Sequence, residues 1–423
     1  MYEPNQDILL AEMVVEFVID GRCVSAPARI LERLSPHPQV VIEVTDVPRQ
    51  PQPISRSTPD RQTSTISTFP PTSKGPSEVR LGSGVRIGVV ANDWVFNQTD
   101  ATLHLQLNPC VALDLRNPIF KLHFSLLNLT GDVFDWPIKL EAPPWLVNIA
   151  PVPNKSKIER ELRRASGYSV MHAGTIERMD GEDISEQNAE ALLAGLERFL
   201  SFVCGSSCGL TNVTGVGKTD NAIWKRWGSH HVSPWQRRRS WSDITIRNNL
   251  PDMFAAYWEK YQRRQQHFDR VLGWYVHSNE IEALDLSIIL NQTVLEMLTS
   301  LTSSGNDAGG PMGHRIAAML KEQGIDPQIP AYCSELIALA KRCGFRHGPH
   351  TLVEIRNSTV HSNNKPGQTA IEAFHEAKHL GLWYIELLLL KMFEYTGEYA
   401  SRLANVQRAG ATELVRWLND EQS

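Results

Sequence analysis

The 423-residue chain has few cysteines, little net charge and no long apolar run. Its six cysteines (Cys23, Cys110, Cys204, Cys208, Cys333 and Cys343) are scattered, which argues against a disulfide scaffold and for buried free thiols. A formal net charge of −5 gives no global attraction to nucleic acid, so any such contact must use a local basic patch. No uninterrupted apolar stretch approaches the roughly 20 residues that span a bilayer; the longest, Leu380 to Phe393, is cut by Glu386 and Lys391. The opening Met1-Tyr-Glu-Pro-Asn-Gln-Asp lacks the basic start and apolar run of a signal peptide. A cytoplasmic protein with no membrane partner is therefore expected. What is present, 42% apolar and 21% charged residues, is the composition of a folded protein, and the length suggests two or three domains.

Residues 1–150 read as a β-rich module. Alternating or β-branched runs recur at Val14–Ile19, Val40–Val44, Val85–Val90, Leu103–Leu107 and Phe120–Leu127, separated by turn residues, and a sandwich or barrel fits them. The Pro/Ser/Thr-rich stretch near 47–83 buries too little apolar area to fold and is expected to be a long disordered loop. Residues 151–250 form a mixed central module. There the segment Ser185–Leu200 predicts a helix capped by Ser185, with apolar residues at Ala189, Leu192, Leu193, Leu196 and Leu200. Trp224, Trp227, Trp235 and Trp241 crowd a short span and suggest a small core or a domain interface. Residues 251–423 read as entirely helical, over 252–277, 280–302, 312–323, 331–343, 349–361, 370–396 and 399–419. The predicted fold class is thus α+β and multidomain, ending in an all-α bundle.

Two motifs come close to known sites. Asn212-Val-Thr-Gly-Val-Gly-Lys-Thr219 approaches a phosphate-binding loop, but Asn212 stands where the first glycine is required, and no strand–helix frame surrounds it. We read it as a surface loop. That leaves a nucleotide hydrolase using Lys218 as a remote third possibility. Cys204, Cys208, His230 and His231 offer zinc-ligand chemistry, yet adjacent histidines are awkward ligands for one ion, and no metal is expected.

The pattern Arg-x4-His carries little information alone. With 14 histidines about one chance match is expected, and three occur: Arg226 to His231, Arg342 to His347 and Arg356 to His361. The first two span Gly228 and Gly344. The third lies in a helical pattern, Leu352-Val-Glu-Ile-Arg-Asn-Ser-Thr-Val-His361, where Asn357 and His361 share one face and Arg356 stands one step round. Two long amphipathic helices precede it and one follows. Between them run Arg315-Ile-Ala-Ala-Met-Leu-Lys-Glu-Gln-Gly-Ile-Asp-Pro and Leu336-Ile-Ala-Leu-Ala-Lys-Arg-Cys-Gly.

This succession, over roughly 250–420, resembles the HEPN domain (higher eukaryotes and prokaryotes nucleotide-binding), and is most similar to the subset at the C-terminus of ApeA-type bacterial abortive-infection proteins. A weaker likeness extends upstream through Gly167-Tyr-Ser-Val-Met-His-Ala-Gly-Thr-Ile, Leu196-Glu-Arg-Phe-Leu-Ser-Phe-Val and Ile223-Trp-Lys-Arg-Trp. The resemblance implies a metal-independent, cofactor-free endoribonuclease whose paired motifs face each other in a homodimer or higher homo-oligomer. Carried over, His361 is the general acid/base, a task suited to an imidazole. Arg356 holds the scissile phosphate and neutralises developing charge, and Asn357 orients either of them. The RNA 2′-OH would be the nucleophile and a 2′,3′-cyclic phosphate the product. Glu296 sits where related domains place a carboxylate and is a candidate to pair with Arg356; the alternative is a solvated helix carboxylate.

From Lys225 to Arg270 ten Lys/Arg oppose four Asp/Glu, an excess of six, with Arg237, Arg238, Arg239, Arg263 and Arg264 as candidate RNA contacts. Tyr257, Trp258, Tyr261, Trp274 and Tyr275 lie among them, either as stacking platforms or, as their helical spacing favours, as core. The implied role is an anti-phage effector cutting host RNA such as tRNA, released by a trigger such as a phage-derived protein, with the upstream modules as sensor. The alternative is a catalytically inactive HEPN nucleotide- or RNA-binding scaffold.

Overall fold

The computed structural model of the chain describes residues 3–19, 22–35, 37–48, 78–81, 86–96, 100–107, 110–113, 118–228, 231–302, 310–360, 371–404, 411–415 and 417. Most of the Pro/Ser/Thr-rich stretch, and His230 and His361, lie outside them. Six strands come first: β1 (Ile8–Ile19), β2 (Arg22–Arg33), β3 (Gln39–Pro48), β4 (Glu78–Leu81), β5 (Arg86–Phe96) and β6 (Asp100–Leu107). They close a barrel in the order β1-β2-β3-β6-β5-β4, with β4 pairing antiparallel to β1. In β1 the alternation is plain, Val15 and Phe17 buried and Val14 and Val18 exposed. β2 escaped the sequence reading because its inward face is Ala26, Ala28 and Ile30, two of them too small to mark a strand.

A second sheet holds β7 (Cys110–Leu113), β8 (Lys121–Leu127), β9 (Ile138–Ala142), β10 (Trp145–Pro151), β11 (Val170–Arg178), β12 (Gly209–Val216) and β13 (Ala222–Trp227), ordered β7-β13-β12-β8-β11-β10-β9. The boundary expected at residue 150 therefore falls inside one sheet, within β10. Alternation identifies strands but does not say which sheet they join. Between strands run α1 (Lys155–Ala165) and α2 (Glu186–Cys204). Ser185 caps α2 as expected, its Oγ accepting the Asn188 N–H at 3.2 Å.

The helical part comprises α3 (Leu250–Arg263), α4 (Gln265–Glu280), α5 (Leu284–Thr302), α6 (Met312–Glu322), α7 (Ser334–Cys343), α8 (Gly348–Val360) and α9 (Ile371–Met392). The helix expected over 252–277 breaks at Arg264, whose backbone (φ −142°, ψ 43°) is not helical. No helix occupies 399–419 among the described residues. Glu398–Tyr399 (β14) and Glu413–Leu414 (β15) form a small antiparallel pair instead. There the backbone bonds leave the segment: Ala400 N–H donates to Trp241 O at 2.7 Å and Val415 N–H to Gly397 O at 3.2 Å. The architecture is mixed α/β and multidomain, β-rich at its N-terminal end and helical toward its C-terminal end, with nine α-helices among the described residues.

The second sheet and the helices share one core that runs from Ile119 to Trp417. The expected boundary at residue 250 is therefore a seam within a single hydrophobic body, not a linker. α2 buries all of its last turns, Phe199 to Cys204, and a Cβ on Gly195 would stand 2.6 Å from the Trp258 ring. Glycine there lets α3 press onto α2, and Tyr257 OH donates to Gly195 O at 2.8 Å. Tyr257, Trp258, Tyr261 and Tyr275 are all buried, so these aromatics are core rather than base-stacking platforms. The crowded tryptophans divide among three cores: Trp224 and Trp241 in the large one, Trp227 in the barrel, and Trp235 in a third cluster with Leu34 and Val152.

Two buried polar contacts tie these bodies together. Glu386 on α9 and Arg402 form an ion pair, their side chains 0% and 1% exposed. Arg402 Nε and Nη2 donate to the two carboxylate oxygens at 2.8 and 2.7 Å, and Tyr275 OH donates to Oε1 at 2.5 Å. Arg402 Nη2 also donates to the Arg239 carbonyl at 2.8 Å. At the barrel, Thr211 Oγ1 of β12 donates to the buried Glu32 carboxylate of β2. Burial, opposed by this bond, pushes the Glu32 carboxyl up to about 7.

The folded state thus keeps a proton on Glu32 where the unfolded chain, near the ordinary 4.5, has lost it, so stability falls as pH rises from about 4.5 to 7. Glu32→Gln, measured by urea unfolding at pH 5 and pH 8, is expected to gain on the order of 2 kcal/mol over wild type at pH 8 and little at pH 5; an equal effect at both pH values would refute the buried carboxyl. Arg402→Met strands the Glu386 charge and is expected to cost about 3–5 kcal/mol in the same assay. A cost under about 1 kcal/mol would mean that the pair contributes little to holding the C-terminal segment.

Candidate functional site

The motif helix α8 is set by its start. α7 ends at Gly344 in the left-handed region (φ 73°), and Phe345 N–H reaches back to Ala340 O at 2.8 Å. The chain then turns into α8, where His347 O accepts both the backbone N–H and the hydroxyl of Thr351, each at 3.0 Å. Gly313 of α6 lies so close to α8 that a Cβ would stand 2.9 Å from His350 Cα. α8 buries Leu352 and Ile355 and packs on α5, α6 and α9.

Arg356 and Asn357 sit half-buried on the last turns of this helix, at the rim of the bundle. Arg356 Nη1 donates to Asn357 Oδ1 at 3.2 Å, while its buried Nε has no hydrogen-bond partner among the described residues. The hydroxyls of Ser358 and Thr359 turn back onto Ile355 O at 2.6 and 2.9 Å. Of the four polar residues in the last turns, only Arg356 and Asn357 therefore keep polar capacity turned away from the helix backbone. A guanidinium held at one edge by a neighbouring amide is suited to bind a planar or tetrahedral oxyanion. His361 lies outside the described residues.

Glu296 does not take the place expected for it. Its Oε1 accepts from Gln292 Nε2 at 3.1 Å, and among the described residues no ion pair joins it to Arg356. Gln292, four residues earlier on the same face of α5, supplies the nearer donor. Gln292 is itself 2% exposed, and its Oε1 is unpartnered, as is Arg315 Nε on α6. Three helices that pack on one another, α5, α6 and α8, thus each carry a buried polar atom with unused bonding capacity.

The expected basic stretch does not form one surface. Arg237 pairs with Asp132, Arg263 with Glu259 at 2.6 Å, and Arg264 donates to Leu301 O at 3.4 Å. Arg238 and Arg239, together with Arg237, line a cavity against α9. The near-miss phosphate loop is β12 running into a turn and then β13, and Lys218 Nζ sits 4.5 Å over the Phe120 ring. It is a hairpin, not a loop before a helix. Cys204 and Cys208 are buried, with Cys204 Sγ donating to Ser206 O at 3.0 Å and Cys208 Sγ 3.4 Å from Ser201 Oγ. Among the described residues no three His, Cys, Asp or Glu side chains are placed so that they could hold one metal ion.

A histidine cluster at the start of α8 was missed. The rings of His314, His347 and His350 lie 5.5–5.9 Å apart. His347 Nδ1 accepts from His350 N–H and His350 Nδ1 from Arg346 N–H, both at 3.2 Å. This places the ring proton of each neutral imidazole on Nε2. Burial, then the facing His314 and His350, hold His347 down to about 4. His347 closes the second Arg-x4-His match, which Gly344 made easy to set aside.

Two segments of the chain match known families: residues 111–238 match the family described as YopA central domain, and residues 261–413 match the YopA C-terminal domain. The first segment spans the second sheet and the residues that follow β13 as far as Arg238. The chain is 23% identical over 335 residues, 74% of its length and 75% of the relative's, to the SPbeta prophage-derived uncharacterized protein YopA of Bacillus subtilis (strain 168). No solved structure matches. No helix among the described residues is long and apolar enough to cross a membrane.

Proposed function

We propose that this chain is a metal-independent HEPN-type endoribonuclease that works as a homodimer and acts as an abortive-infection effector on host RNA, tRNA in the first instance. The observation that carries this reading is the Arg356–Asn357 pair on the last turns of α8, with the Nε of Arg356 unpartnered among the described residues. In the reaction Arg356 binds the scissile phosphate and takes up the charge that builds there. His361 moves the proton between the 2′-OH and the leaving 5′-oxygen. Asn357 restricts the guanidinium. Exposed apolar residues on the helical part, Leu286 (48%), Val360 (47%) and Ile371 (62%), provide surface for a second copy. A relative carried by a prophage agrees with a setting of phage–host conflict. The barrel serves as the sensing module for a phage-derived trigger.

A second reading, an inactive HEPN nucleotide- or RNA-binding scaffold, is favoured by Glu296 bonding Gln292 rather than Arg356.

Full-length protein incubated with total bacterial RNA and tRNA in EDTA, with and without phage-infected lysate, separates the two. The enzyme reading expects cleavage that falls at least about 100-fold in His361→Ala, with folding and dimer mass unchanged. Cleavage retained by His361→Ala would remove this residue from the chemistry, and RNA left intact under both conditions would favour the scaffold.

A further inference from the structure

The strap that follows the second sheet, residues 236–239, closes over a cavity of about 350 Å³ whose other walls are the end of α4, the start of α5, α9 and Arg402. The volume is at the lower end of the range of small-molecule pockets, about 300–1,000 Å³. Its charge is one-sided. Arg237, Arg238, Arg239, Lys378 and Arg402 line it with His375 and His379, and the only carboxylate among its lining residues is Glu282.

The cations differ in how they are satisfied. Arg402 is neutralised by Glu386 behind the wall, and Arg239 Nη2 donates to Ser401 O at 2.8 Å. Lys378 is 9% exposed and donates to the Ile281 carbonyl at the end of α4, at 2.6 Å; among the described residues no carboxylate forms an ion pair with it. His379 is half-buried, with Nδ1 unpartnered. Burial first, then the facing Arg238 and Arg402, bring the Lys378 amine down to about 8. Burial, then Arg402, Arg239 and Lys378, bring His379 down to about 3. Packing like charges into a partly closed pocket costs stability that an anion would restore. The hydrogen bonds of Asn279 Nδ2 to Gly205 O and Arg239 O, at 2.6 and 2.9 Å, hold the strap in place, so the pocket is preformed.

We propose that this cavity binds a small phosphate-bearing anion, pyrophosphate or a mononucleotide in size, held by Arg238 and Lys378. Arg356 is not among the residues that line it. Its occupant bridges the strap of the sheet-bearing half and the helices α4 and α9, so binding clamps the two halves together. An extended RNA strand does not fit so small a space.

The test is isothermal titration and thermal unfolding of the full chain with pyrophosphate, AMP and ADP, in wild type, Arg238→Gln, Arg238→Lys and Lys378→Gln. Arg238 makes no side-chain hydrogen bond or ion pair with the described residues, so its variants are expected to fold, and they carry the result if Lys378→Gln does not. The expected result is saturable binding with a rise in Tm, at least 10-fold weaker in Arg238→Gln and partly kept in Arg238→Lys. Tighter binding of ADP than of pyrophosphate would place the nucleoside in the cavity as well, and equal binding would assign recognition to the phosphates. No saturable binding by any of the three probes at millimolar concentration, or affinities unchanged in Arg238→Gln, would overturn the proposal. So would Arg238-dependent binding of an RNA oligonucleotide without terminal phosphates where pyrophosphate fails.

Discussion

The Glu386–Arg402 ion pair is the contact on which the C-terminal half depends. It is fully enclosed, so neither charge is screened by water, and removing either strands the other. Through it α9, Tyr275 of α4, the segment after β14 and the carbonyl of Arg239 share one network. That network fixes the strap leaving the second sheet against the helices. It also sets the wall of the basic cavity. α8, which carries Arg356 and Asn357, packs on the same α9 that carries Glu386, so the motif helix and the cavity share a scaffold.

The continuity of the large core bears on the proposed control of the helical part by the upstream modules. A sensor joined by a flexible linker moves as a rigid body, but here the sheet and helices bury their apolar faces against one another. Glu280, at the end of α4, accepts the backbone N–H of Ser207 at 2.6 Å, just past the end of α2. The barrel is different. It has its own core, which takes in Trp227 of β13, and it meets the sheet through that ring, the Glu32–Thr211 contact and the cluster of Leu34 with Leu127 and Val152.

Much of this was legible in the sequence, and the failures have physical causes. Val14–Ile19, Val40–Val44 and Phe120–Leu127 announced strands because one face alternates with bulky β-branched or aromatic residues. β2 did not, because alanines fill its inner face. The helical periodicity of 185–200 and of the C-terminal helices survived in the structure with ends shifted by a few residues. The segment 399–419 looked helical because Leu403, Val415 and Trp417 are apolar; they are buried by packing under other elements, which spacing along the chain does not encode. At the candidate site, Arg356 and Asn357 were legible as neighbours on one helix. The basic cavity was not, because Arg238, Lys378 and Arg402 are brought together only by tertiary contacts.

On the proposed function, Arg356 and His361 let the RNA's own 2′-OH cut the neighbouring phosphodiester without a metal. The chemistry of the cut ends tests this most directly. RNA digested by the full-length protein in EDTA, with its termini identified by mass spectrometry, is predicted to carry 2′,3′-cyclic phosphates and 5′-hydroxyls. Fragments ending in 3′-hydroxyls and 5′-phosphates, formed only when a divalent cation is supplied, would contradict it.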